Sequence, residues 1–200
     1  MALDTPTKRL DHAFYARDAL VVARALIGTV LVHVTCEGVR AVRIVETEAY
    51  RGPTDGACHA RVGLTKRTRT LLGPPGRAYV FLIYGMHDCF NVVCLKDGGG
   101  HAVLIRGGEP LVGIDAGQRA DGPGRLARAL GITRPCNNMD LTTSNRLYLT
   151  PRTKRPRIAV TARVGVAYAG PVADEPWRFF DPTSAHVSRR AKKLIGRGLE

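Results

Sequence analysis

Two carboxylates stand two residues apart in the run Val42-Arg43-Ile44-Val45-Glu46-Thr47-Glu48. If this run is a strand, side chains alternate between its faces, so Glu46 and Glu48 share one face with Cα atoms roughly 6.6 Å apart. The same alternation aligns them with Val42 and Ile44, an apolar pair directed to a core. A glutamate that continues an apolar face needs a partner or a task. Such a pair suits a bound metal ion or a division of acid and base roles. Two solvent-facing carboxylates on an edge strand are the plainer alternative.

Aromatic residues are only 6% of the chain, yet Tyr50, Tyr79, Phe81, Tyr84 and Phe90 gather in its middle, beside Arg61, Lys66, Arg67 and Arg69. Rings next to arginine and lysine form platforms for nucleobases, although Tyr79 and Phe90 equally suit core packing. Tyr84 ends its run directly before Gly85, which sets it on a hairpin tip, where a ring can wedge between base pairs. Cys58, His59, His87, Cys89 and Cys94 match no zinc spacing, so no metal centre is expected. Gly122-Pro123-Gly124-Arg125-Leu126-Ala127 follows a polar stretch and lacks the strand that a dinucleotide fingerprint requires. As a helix N-terminus beside Arg125 it suits a phosphate instead. Cys89 and Cys136 read as buried thiols.

The elements that must carry these groups follow from local signals. Asp18 caps a helix running to about Ile27, with Gly28 as its stop. Strands are expected at 29–34 and 39–48 around the turn Cys36-Glu37-Gly38, then in a meander at 77–84, 88–95 and 101–106. Short helical turns fit 54–59 and 65–72. Pro123 opens a helix that Gly131 closes, and strands return at 146–149 and 157–166. Strands in consecutive runs favour an α+β fold: one domain with a mostly antiparallel curved sheet, a roll or partly open barrel, peripheral helices and a protruding β-hairpin. The domain is expected over 14–182, after a flexible arm at 1–13 and before a basic tail at 183–200, packed or frayed.

With 30 Lys+Arg against 17 Asp+Glu, the 200-residue chain carries a formal charge of +13, a field that draws polyanions. Clusters at Arg61–Arg69, Arg152–Arg157 and Arg189–Arg197 point to nucleic acid, while scattered single arginines fit ordinary surface solvation. No apolar run reaches the roughly 20 residues of a membrane span, and no secretory signal is visible. Five cysteines without a close pair argue against a disulfide scaffold. A soluble cytoplasmic protein, monomeric and without membrane contact, is expected.

From Val45-Glu46-Thr47-Glu48-Ala49-Tyr50 through Gly52-Pro53, Asp55 and His59, the chain resembles the alkyladenine (3-methyladenine) DNA glycosylase family, of methylpurine-DNA glycosylase type. The resemblance continues through Tyr79-Val80-Phe81-Leu82-Ile83-Tyr84-Gly85-Met86, Asn91, Val103-Leu104-Ile105-Arg106 and Glu109-Pro110-Leu111. Gly122–Leu126, Ala129–Ile132 and Arg163-Val164-Gly165-Val166 extend it, so it covers residues 14 to 182. It implies a monofunctional enzyme that flips damaged purines out of double-stranded DNA and hydrolyses the N-glycosidic bond, with no cofactor or metal and no strand cleavage. Glu48 would be the general base and Arg106 would lie near the water and phosphate. Asn91 would meet the base edge, and Tyr50 would stack opposite His59 and Phe81. Tyr84, with Met86, would fill the gap in the duplex, and Arg61, Arg67 and Arg125 would hold the DNA backbone. Glu46 becomes a supporting residue. Position 81 often carries Tyr in relatives and here carries Phe, which keeps stacking but removes a hydroxyl. Two rivals remain: a non-catalytic nucleic-acid-binding protein, and a metal-dependent nuclease using Glu46 and Glu48.

Overall fold

A computed structural model describes residues 8–96 and 98–188. Helix α1 (His12–Tyr15) is capped by Asp11, and α2 (Ala19–Leu26) by Asp18, whose carboxylate accepts the Leu20 N–H at 2.8 Å. The chain turns out of α2 through Gly28, whose φ of +89° is open to a residue without a Cβ. Among the described residues eight strands follow: β1 (Val30–Thr35), β2 (Gly38–Arg51), β3 (Ala78–Ile83), β4 (His87–Cys94), β5 (His101–Val112), β6 (Leu147–Thr150), β7 (Ala159–Thr161) and β8 (Arg178–Phe180). Between β5 and β6 lies α3 (Pro123–Leu130), entered at proline and closed by a left-handed Gly131.

Every strand pairing is antiparallel. The sheet runs β3-β4-β5-β2-β1-β6, with β8 added to the far end of β2 and β7 outside it. It curls into a half-barrel in one domain, and α2 and α3 fill its concave side with Leu26, Leu126 and Leu130 against Ile44, Phe90 and Ile105.

The long central strand β2 corrects the expected face. Val42, Ile44 and Ala49 belong to the main core, and the Thr47 hydroxyl donates to the Ala23 carbonyl of α2 at 3.0 Å. Glu46 and Glu48 share a face with each other but not with Val42 and Ile44. The cause is a β-bulge: the pairing steps from Ile44↔Gly108 to Glu46↔Gly107 to Thr47↔Ile105, leaving Val45 and Arg106 without opposite numbers. One extra residue in a strand reverses the face of everything beyond it.

Other boundaries differ for local reasons. β5 continues six residues past Arg106, through two glycines that bring strands close. A Cβ on Gly108 would lie 2.7 Å from Val42. The strand expected at 157–166 shrinks to β7, because Arg163 turns inward and Gly165 takes a φ of +75°. β8, between Pro176 and Pro182, was not foreseen. The turns expected near 54–59 and 65–72 are 3-10 segments at Gly52–Thr54 and His59–Val62 and a further turn closed by Leu72 N–H on Thr68. Of the arm at 1–13, residues from 8 onward are docked, with Leu10 buried and donating to the Leu149 carbonyl. Residues 183–188 pack through Val187 on Val45 and Phe180. The cluster Arg189–Arg197 lies outside the described residues.

Candidate active site

Beyond the bulge, β2 presents Glu46 and Glu48 to Arg106, itself the unpaired residue of β5. Arg106 donates through Nε to Glu46 Oε1 at 3.2 Å and through Nη1 to Glu48 Oε2 at 3.3 Å. Glu48 has no exposed surface, and its other donors are the Tyr50 hydroxyl at 3.0 Å and the Val164 N–H at 2.7 Å. Glu46 is locked from behind. Ser188 donates its N–H at 2.6 Å and its hydroxyl at 2.9 Å, and Arg178 stands 3.6 Å away. The two guanidinium groups beside the pair, Arg106 and Arg178, oppose a divalent cation there, which weighs against the nuclease reading.

Burial works against the charge of Arg106, but Glu48 and then Glu46 outweigh it and raise the arginine above its ordinary value. Burial, followed by the Glu48 charge, pushes the Tyr50 hydroxyl well above the usual phenol range. Tyr50 therefore stays protonated and remains a donor to the carboxylate.

In front of these groups opens a cavity of about 410 Å³. One wall is aromatic: His59 meets Phe81 edge to face at 4.6 Å, and Tyr79 lies 5.2 Å from Phe81. His59 Nδ1 and the Tyr79 hydroxyl are 3.0 Å apart. Burial, with Arg67 second, lowers His59 from 6.5 to about 4, so its ring is neutral at physiological pH. Arg67 sits over the Phe81 ring at 4.9 Å. Tyr50 also lines the cavity, backed at 4.8 Å by the guanidinium of Arg163, which also lies 4.8 Å from the Trp177 ring. Asp55 grips that guanidinium through both oxygens, at 2.6 and 2.9 Å. Asn91 lines the cavity from β4, with its amide donating to the Tyr79 carbonyl at 3.1 Å. Cys89 lines it too, a thiol that burial pushes up to about 11.

The structure thus brings Tyr50, His59, Arg67, Phe81, Asn91 and Arg106 to one cavity, with Tyr84 at its rim. Glu48 stands directly behind, covered by three residues that line it: Tyr50, Arg106 and Val164. Tyr84, at a left-handed φ of 51° before Gly85, is 85% exposed, and Met86 beside it is 69% exposed but off the cavity wall. Arg61 lines a neighbouring groove. Arg125 sits on the first turn of α3 and pairs with Asp121 at 3.0 Å. Sequence reasoning quoted Asp55, Arg163 and Val164 without giving them tasks, and passed over Tyr168, Arg178 and Ser188. A charge pair 108 residues apart leaves no periodic trace; the only signal was Asp55 and Arg163 each standing inside a motif block.

The chain is similar to known proteins over most of its length. A family model described as methylpurine-DNA glycosylase matches residues 13–185. A relative from Myxococcus xanthus is 54% identical over 182 residues, covering 90% of this chain and 93% of its own. One from Methanocella arvoryzae is 47% identical, with 91% and 96% covered, and one from Legionella pneumophila 43%, with 91% and 99% covered. All three carry the name "Putative 3-methyladenine DNA glycosylase".

Proposed function

The chain belongs to the methylpurine-DNA glycosylase family, and from that premise we propose that it extrudes damaged purines from duplex DNA and releases them with a Glu48-activated water. The observation that supports this most is the setting of Glu48: a fully buried carboxylate, gripped by three donors that also wall an aromatic cavity. A water oxygen attacks C1′ of the extruded nucleotide and gives a proton to Glu48. The C1′–N bond breaks, and its electron pair leaves with the base. The carboxylate charge also steadies the oxocarbenium-like sugar. Such a water meets Glu48 between Tyr50, Arg106 and Val164, the groups common to the carboxylate and the cavity wall. No lysine nucleophile takes part, so the strand stays intact.

The aromatic slot between Tyr50 and the His59–Phe81 wall takes the base, as in other enzymes that lift a base from the stack. Alkylation at N3 or N7 makes a purine cationic, and a cation gains about 0.5–2 kcal/mol against a ring face. The neutral His59 presents such a base with a ring that does not repel it. Neutral lesions, hypoxanthine and ethenoadenine, fit the same slot by stacking alone. Tyr84 and Met86 at the hairpin tip are the wedge for the vacated gap, while Arg61, Arg67 and Arg125 face the phosphates. Asn91 reads the base edge.

A hypoxanthine-containing duplex, incubated with the protein and then treated with alkali, tests this reading. Wild-type protein produces alkali-labile sites, and Glu48→Gln binds the duplex while excision falls by several orders of magnitude. Turnover by Glu48→Gln at the wild-type rate overturns the mechanism. Binding without any excision by the wild type favours the non-catalytic rival, and strand breaks without alkali favour the nuclease.

A further inference from the structure

Next to the base cavity lies a second hollow of about 300 Å³, and His59, Arg67 and Tyr168 line both. Its far side is Arg61, Val62 and Thr65. Tyr168 is 73% exposed on the 3-10 segment Ala167–Ala173, an unusual position for a ring of this size. Its backbone is nevertheless held firmly: Gly56 packs so closely on this segment that a Cβ there would lie 2.8 Å from the Ala169 carbonyl oxygen. The charged groups lining the groove are of one sign. Some surface arginines, Arg40, Arg43 and Arg51 among them, pair with a carboxylate. Among the described residues, Arg61 and Arg67 have no such partner, and no carboxylate lines the groove. An exposed ring on a closely packed segment, sharing a groove with two guanidinium groups that lack a carboxylate partner, is the chemistry that receives a nucleobase and its phosphate.

We infer that this groove seats the nucleotide adjacent to the extruded one, its base stacked on Tyr168 and its phosphate between Arg61 and Arg67. The inference rests on the proposed base-excision reading, because covalent continuity with an extruded nucleotide is what brings a neighbour to this wall. Tyr84 and Tyr168 then grip the lesion strand from opposite rims, and the site reads one nucleotide more than it excises.

A cycle between protein and DNA tests it. Tyr168→Ala and Tyr168→Phe are titrated against hypoxanthine duplexes that carry a stable abasic analogue on the 5′ side, on the 3′ side or on neither. Tyr168→Ala weakens binding of the intact-neighbour duplex by about tenfold, and Tyr168→Phe, which keeps the ring, does not. With the neighbouring base removed on the correct side, the Tyr168→Ala penalty falls below about twofold. A penalty that stays undiminished with both analogues, or that is absent on the intact duplex, overturns the inference. These are binding measurements, so an absence of excision by the wild type refutes the activity and leaves this result to stand separately.

Discussion

Arg163→Met removes one half of a charge pair that has no water to fall back on. The native guanidinium spans both Asp55 oxygens, bonds the Ala49 and Val172 carbonyls at 3.1 and 3.3 Å, and has no solvent exposure on either side chain of the pair. Methionine keeps much of the bulk but leaves Asp55 with the backbone N–H groups of Arg51 and Ala57. Stranding one member of a buried pair costs about 3–5 kcal/mol, a large share of the roughly 5–15 kcal/mol that holds a domain folded. At a urea slope of about 2 kcal/mol per molar, the unfolding midpoint drops by roughly 2 M. The pH dependence has a definite sign. In the native chain burial raises Asp55, but the Arg163 hydrogen bonds and the two N–H groups outweigh it and hold the carboxyl below 3.8. That contribution is complete above 3.8 and is lost as pH falls through the lower folded value. In the variant burial has no guanidinium against it, Asp55 titrates higher, and the deficit shrinks on acidification. Adding Asp55→Asn removes the stranded charge, so the double variant is more stable than Arg163→Met alone. Urea denaturation of the three variants, at neutral and acidic pH, measures all of this. A midpoint shift under about 0.5 M, or a double variant whose loss equals the sum of the singles, refutes the reasoning.

His59, lowered to about 4 from 6.5, stays unprotonated in the fold while the unfolded chain takes up a proton. Its contribution is therefore present above 6.5 and lost as pH falls toward 4. Between about pH 7 and about pH 5, His59→Asn loses about 2 kcal/mol less unfolding free energy than wild type; equal losses in denaturation curves contradict the assignment. Ser188→Ala withdraws the hydroxyl from Glu46, which orients Arg106, so single-turnover excision falls about tenfold. Duplex binding moves by less than about twofold, and Ser188→Thr restores the rate. A binding loss as large as the rate loss would mark Ser188 as structural only.

What was legible in the sequence was local. Asp18 and Leu20 lie two residues apart, and Pro123 and Gly131 bracket one helix, so their physics is complete within a few residues. The meander was equally readable, because alternation and Gly85 both lie within one hairpin. Gly107 and Gly108, just past the strand expected at 101–106, show the opposite case. Glycine reads as a break in a strand, yet in β5 it is the residue that lets His186 and Val42 approach, with added Cβ atoms landing 3.0 Å and 2.7 Å from them. That Tyr50, His59 and Phe81 share one cavity agrees with the resemblance and the ring types, whereas the groups behind them left no such signal. Arg163 behind Tyr50 and Ser188 behind Glu46 come from segments 113 and 142 positions away in the chain, and no local pattern encodes such meetings.

The bulge at Val45 explains why chemistry and irregularity coincide here. With strict alternation, Glu46 and Glu48 would have followed Ile44 into the face packed by α2, where Leu26 and Ile105 offer no donors. Two carboxylates there would face the desolvation cost of buried charge without compensation. The inserted residue leaves Val45 against Phe180 and Val187 and turns both glutamates to that same face, opposite Ile44. The residue skipped on the partner strand is Arg106, the cation that bonds both of them. The paired irregularities in the ladder thus supply the acidic pair and its counter-charge together, with Arg106 at the wall of the cavity and the carboxylates behind it. The arrangement exists because the sheet loses its period at this point, and a strand that kept its period would hold the same residues without bringing the two glutamates and the arginine together.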